Sequence, residues 1–116
     1  MITNFEQITE EISPDEMELI PILISGLKIR TKQNPIKAPD IVDGMRKRAG
    51  KVKMTEARLR KCINYIRSNS LLPVIATSKG YYTSYDKTEI ENQIKSLQER
   101  SRSIMNCAEG LKIFTV

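Results

Sequence analysis

"MTEARLRKCINYIRSN", residues 54–69, carries four cations (Arg58, Arg60, Lys61, Arg67) against one acid, Glu56. Thr55 suits a helix N-cap, because its side-chain oxygen can accept from a backbone N–H of the first turn. At about 100° per residue, Leu59, Cys62, Ile63 and Ile66 share one arc, the mark of a buried stripe. The opposite arc holds Ala57, Arg60, Lys61, Asn64 and Ser68, with Arg58 and Tyr65 on its shoulder. Like charges three or four residues apart repel by roughly 0.2–0.5 kcal/mol per pair. A helix that was merely solvated would interleave Glu with its Lys and Arg. This one does not, so the spacing implies an uncompensated cationic face turned toward something outside the chain.

Working outward, "PDIVDGMRKRAG" upstream reads as another helix. Pro39 suits its first position, Ile41, Val42 and Met45 share a face, and Gly50 is a stop signal after the basic run Arg46, Lys47, Arg48. The connector "GKVKM" between the two helices is short. Downstream, "LLPVIATSKGYYTS" reads as a β-hairpin. Pro73 stands at a strand start, "TSKG" forms a tight turn with Gly80 supplying a positive φ, and Lys79 lies near the tip. Further upstream, "ISPDEMELIPILISGLKIR" opens with Ser13, Pro14 and Glu16, a capping box. Met17, Ile20, Leu23, Ile24 and Leu27 follow at helical spacing, and Pro21 is expected to kink or split that helix. "RTKQNP" is a loop and "IKA" a short extended piece. After the hairpin, Asp86 and Glu89 suggest a second capping box for a helix over 87–109, ended by Gly110. Ile90, Ile94, Leu97, Ser101, Ile104, Ala108 and Leu111 alternate four and three apart in it, a heptad seam with one polar lapse.

The 116 residues suit one domain with a core of its own. Charge is distributed unevenly. Residues 1–27 hold six acids and no base, residues 28–79 fourteen bases and three acids, and residues 80–116 five of each. A basic block of that size inside a folded domain is a candidate polyanion footprint, or else a solvated surface. With no histidine and no CxxC, a zinc site lacks ligands, and Cys62 and Cys107 read as reduced, half-buried helix residues. No apolar run spans a bilayer, and the acidic start "MITNFEQITEE" is unlike a signal peptide. A soluble, cytoplasmic protein is expected, with no membrane partner and no cofactor.

Helix, extended piece, helix, tight turn, charged helix, hairpin, helix is an order that resembles a winged helix-turn-helix domain. The resemblance rests on "PDIVDGMRKRAGKVKMTEARLRKCINYIRSN" and "LPVIATSKGYYTS", which together span residues 39–85. "TEARLRKCINYIRSN" and "SKGYY" look like small uncharacterised phage- and prophage-encoded proteins, which would place the chain in a bacterial cell or a phage-infected host. The resemblance implies a mainly α fold with a small β-hairpin, an N-terminal helix and a long C-terminal helix. It divides the chain into a flexible segment 1–12, a domain over 13–109 and a tail 110–116. It further implies that Thr55 to Ser68 is the recognition helix, entering the major groove of double-stranded DNA while the hairpin touches the neighbouring backbone. Ala57, Arg58, Lys61 and Asn64 would then face base edges. Thr55, Arg60 and Lys79 would take phosphates, with Arg46, Lys47, Arg48, Lys51 and Lys53 completing the basic surface. Glu56 departs from this pattern, since it would repel phosphate unless it caps the helix or accepts from a cytosine amine.

An enzyme is not expected: without histidine no Ser/His or Cys/His pairing exists, and Ser78-Lys79 is explained by the turn. The rival to DNA binding is a non-enzymatic protein-interaction adaptor on the same scaffold. The heptad seam leaves two readings open. It mediates a homodimer, or it packs back on the first helix and completes a monomer core.

Overall fold

The computed structural model describes residues 11–48 and 52–116. It is mainly helical, with four α-helices and one antiparallel hairpin: α1 Leu19–Leu27, α2 Ala38–Arg46, α3 Glu56–Ser68, β1 Val74–Thr77, β2 Gly80–Thr83 and α4 Lys87–Leu111. Single 3₁₀ turns flank the series at Glu16–Glu18 and Lys112–Thr115. Residues 1–10 and 49–51 lie outside the described part, and with them most of the expected flexible segment 1–12, the stop signal at Gly50 and the basic residue Lys51. Two compact units divide the chain after Ser84.

The first unit begins with the expected capping box. Ser13 N–H donates to Glu16 Oε1 at 2.9 Å, and Glu16 N–H donates to Ser13 Oγ at 3.2 Å. The chain then makes a 3₁₀ turn and enters α1 only at Leu19. Pro21 is the reason: with α1 starting at Leu19 it falls in the first turn, where a helix has no partner for that N–H anyway. The expected split is therefore a change of helix type before the proline. It moves the apolar face as well, so that Leu19, Ile20, Leu23 and Leu27 are buried while Met17 is exposed and Ile24 is only half-buried.

Ile36 joins the elements. Its N–H donates to Tyr81 O at 2.9 Å and its carbonyl accepts from Tyr81 N–H at 2.7 Å, a one-residue bridge laid against β2. In the hairpin, Val74 faces Thr83, Ile75 faces Tyr82, Ala76 faces Tyr81 and Thr77 faces Gly80. Gly80 has φ +128°, and a Cβ there would lie 2.5 Å from Ile36 O. Glycine is required at this position by the backbone conformation and by the bridge together. Thr83 ties β2 to the end of α1, its hydroxyl donating to Leu27 O at 2.8 Å.

Ala38 opens α2, so Pro39 stands one place later than expected, still within the first turn. Its Ile41 and Val42 meet Leu59, Cys62, Ile63 and Ile66 of α3 in one core, together with α1, Met54, Leu72 and Val74. Ser70, with φ 54°, takes the left-handed position after α3, and Leu71 N–H reaches back to Ile66 O at 3.0 Å.

The second unit is α4 with its 3₁₀ extension. Asp86 caps it, accepting from Glu89 N–H at 3.0 Å. The helix does not stop at Gly110 as expected but runs on to Leu111, because glycine in a last turn weakens a helix without forcing a turn. No residue of α4 is buried. The two cysteines also differ from expectation. Both are free, but Cys62 is fully buried and Cys107 exposed.

Candidate functional site

The site is built around α3. Thr55 Oγ1 accepts from Arg58 N–H at 3.1 Å, so Thr55 is the N-cap that its chemistry suggested. Leu59, Cys62, Ile63 and Ile66 turn inward, which fixes the direction of every other side chain on the helix.

The shoulder of the helix is not open. Glu16, the third residue of the capping box, is buried, its side chain only 5% exposed, and it receives two cations from α3. Lys61 Nζ lies 2.8 Å from Glu16 Oε1, and Arg58 Nε lies 3.1 Å from Glu16 Oε2. Arg58 also donates from Nη1 to Lys53 O at 2.7 Å. Burial alone would raise the Glu16 carboxyl. Lys61, the Ser13 backbone and side chain, and Arg58 outweigh it and hold the group down at about 2. Upstream of Glu16, Glu11 and Ile12 share a groove with Lys61, Asn64, Tyr65, Ser68 and Asn69.

This corrects the sequence reading at its central point. The cationic face of α3 is compensated on one side by Glu16 of the leading segment, so Arg58 and Lys61 are ion-paired within the chain rather than uncompensated. Their charge neutralises a buried carboxylate from 42 residues away in the case of Arg58, a distance that helical periodicity cannot register.

The other expected site residues fall into two groups. Some hold the scaffold together: Arg46 Nε donates to Met54 O at 2.9 Å, clasping the end of α2 to the residue before Thr55. Arg67, a cation of α3 that was not among the expected site residues, makes a similar clasp, its Nε donating to Val74 O of β1 at 2.9 Å. The rest lie on the surface or half on it. Lys47, Arg48, Lys53 and Lys79 are exposed, while Ala57, Arg60 and Asn64 are half-buried on the arc of α3 away from the core. Lys79 occupies the hairpin tip, its N–H donating to Thr77 Oγ1 at 3.2 Å.

Sequence reasoning missed the role of Glu16 as a counter-ion. The available signal was a carboxylate followed by an apolar run, which capping explained in full. It also missed an apolar depression of about 200 Å³ between α1 and α2, lined by Leu23, Gly26, Ile36, Ile41, Gly44 and Met45 with Arg30, Asp40 and Arg48 at its edge.

Among the described residues no group of three His, Cys, Asp or Glu side chains is placed to hold a metal ion. No helix among them is long and apolar enough to cross a membrane. No protein-family model matches the chain, and no curated protein or solved structure does either.

Proposed function

We propose that this chain binds double-stranded DNA as a winged helix-turn-helix domain, with α3 directed to the major groove and the β1–β2 hairpin to the neighbouring backbone. The observation that carries the reading is the pairing of Ile36 with Tyr81. It ties the extended residue between α1 and α2 to the second hairpin strand, a connection that supports reading the hairpin as a wing beside the capped, basic α3. Basic residues 46–48, 53 and 60 surround the junction of α2 and α3, with Glu56 the sole acid on the first turn of α3.

The footprint differs from the one the sequence implied. Ala57, Arg60 and Asn64 are the residues for base edges, since Arg suits guanine and Asn adenine. Lys47, Arg48, Lys53 and Lys79 take phosphates. Arg58 and Lys61 set the tilt of α3 through Glu16 and contribute to binding only indirectly.

Fluorescence anisotropy with labelled duplex across a salt series tests this. Log affinity is expected to fall with log salt at about −0.9 per phosphate neutralised. Arg60→Ala weakens binding by about 1–3 kcal/mol on the preferred sequence. Lys79→Ala reduces the salt slope by about one, and Lys95→Ala, on α4, changes neither. Equal losses at all three positions, or a preference for single-stranded over duplex DNA, would overturn the proposal.

A second reading, a protein-interaction module, is favoured by the depression between α1 and α2. Its apolar floor, open above Gly26 and Gly44, has the character of a socket for an apolar side chain.

A further inference from the structure

We propose that α4 is a dimerisation element that pairs, parallel and in register, with α4 of a second copy of this chain. The inference stands apart from DNA binding and needs none of its residues.

Its basis is the apolar stripe of α4 itself. None of the residues from Lys87 to Leu111 is buried; Ile94 and Leu111 are 47% and 63% exposed, and Ile90, Leu97 and Ile104 are half-buried. An amphipathic helix of 25 residues ordinarily owes its stability to what its apolar face packs on. The stripe is also of a particular kind. Its 4–3 alternation is maintained from Ile90 to Leu111 with a mean spacing of 3.5, the period that winds two helices around each other. Ile90, Leu97, Ile104 and Leu111 occupy the d positions. Ile94, Ser101 and Ala108 occupy the a positions.

A second copy is the occupant that this pattern fits. In a parallel pair each layer is formed by the same residue from both chains, so Ser101 meets Ser101 and the two hydroxyls satisfy each other. Any antiparallel register sets Ser101 against a d residue of the partner, Ile90, Leu97 or Ile104, and leaves its hydroxyl facing hydrocarbon. The flanks agree. Across a parallel pair Gln93 meets Gln98, Arg100 meets Met105 and Cys107 meets Lys112, none of them like charges. The single like-charge pair, Asp86 with Glu91, falls at the extreme N-terminal end, where Lys87 occupies the adjoining a position. Flanks of one sign would have called for a partner of the opposite sign; these are mixed and suit a copy of themselves. A polar residue at a single a position is a known means of setting register at some loss of stability.

Light scattering of the full chain at micromolar concentration is expected to give twice the 13.3 kDa chain mass. Leu97→Asp is expected to return it to the single mass. The buried core cluster is made of residues up to Val74, so the near-ultraviolet tyrosine signal of the first unit is expected to stay unchanged in that variant, which separates loss of pairing from loss of folding. Orientation is read by Leu111→Cys combined with Cys107→Ser. A parallel pair brings the two new thiols together and oxidation gives a covalent dimer, whereas an antiparallel pair separates them to opposite ends of a helix about 37 Å long. A wild-type mass of 13.3 kDa, or a Leu97→Asp variant that keeps the doubled mass, overturns the proposal. A doubled mass without the covalent dimer overturns the parallel arrangement.

Discussion

α3 and α4 are built from the same parts, and the molecule uses them in opposite ways. Each starts at a side-chain cap, Thr55 for one and Asp86 for the other, and each carries a cysteine and an apolar stripe. In α3 the stripe closes completely: Leu59, Cys62 and Ile66 are all 0% exposed. In α4 no residue is buried, and Ile90, Leu97 and Ile104 are half-buried. The difference lies in the width and period of the stripe. Leu59, Cys62, Ile63 and Ile66 follow the i, i+3, i+4, i+7 pattern of a broad face laid on a globular core. The α4 residues hold a strict 4–3 alternation, a narrow seam suited to one partner helix. The charges differ in the same way. The α3 cations Arg58 and Lys61 are bound to a buried carboxylate, whereas the ion pair at the end of α4, Lys112 with Glu109, is open to water on both sides.

Substitution at matched seam positions should give the largest contrast. Leu59→Ala removes a fully buried side chain and is expected to destabilise the first unit by about 2–5 kcal/mol. Leu97→Ala should leave the unfolding of residues up to Ser84 unmoved. Urea denaturation followed through the tyrosine signal, to which buried Tyr82 contributes, checks both. Comparable losses would mean that α4 is part of the same core.

The matched ion pairs come next. Glu16→Ala leaves Lys61, whose side chain is only 13% exposed, without its counter-charge, and is expected to cost about 3 kcal/mol. Glu109→Ala should cost less than about 0.5 kcal/mol, because solvent screens an exposed pair. Thermal or urea unfolding of the two variants gives the comparison. If α3 were held by its apolar stripe alone, the two would be alike.

The cysteines provide the smallest and cheapest contrast, with no change in stability required. Burial first, and then the Glu16 charge, push the Cys62 thiol up to about 12 against the opposing pull of Lys61 and Arg58. Cys107 is exposed. At pH 8 a thiol reagent should therefore label one cysteine of the native chain at once and the second only after denaturation. Prompt labelling of both would place the α3 stripe at the surface.

Much of this was legible from residue order because it depends on neighbours. Ser13 with Glu16, Thr55 with Arg58, and the "TSKG" turn between two β-branched and aromatic runs are local devices whose partners lie within four residues. The type of the α-helices and of the hairpin followed from them, whereas the 3₁₀ turns at Glu16–Glu18 and Lys112–Thr115 did not. What stayed hidden were interactions that only the tertiary fold brings about. Glu16 reads as a cap whether or not two cations from α3 also reach it. Gly80 reads as a turn glycine, and the stricter requirement, the approach of Ile36 O, comes from a residue 44 positions earlier. Cys62 and Cys107 have similar helical settings in sequence, and only the docking of α3 separates them. The expectation of an uncompensated face failed for the same reason: charge counted along one helix says nothing about an acid delivered from another segment.

The position of α3 against the leading segment depends on the Glu16 carboxylate being held by Arg58 and Lys61. Its folded-state value lies below the ordinary 4.5, so its contribution of about 3 kcal/mol is complete above that pH and is lost as pH falls through about 2. Carbon-13 NMR of the side-chain carboxyl, titrated in the folded protein, measures this directly. The account predicts a midpoint at about 2 that returns toward the ordinary range in Lys61→Ala; a wild-type midpoint near 4.5, unmoved by that substitution, would contradict it.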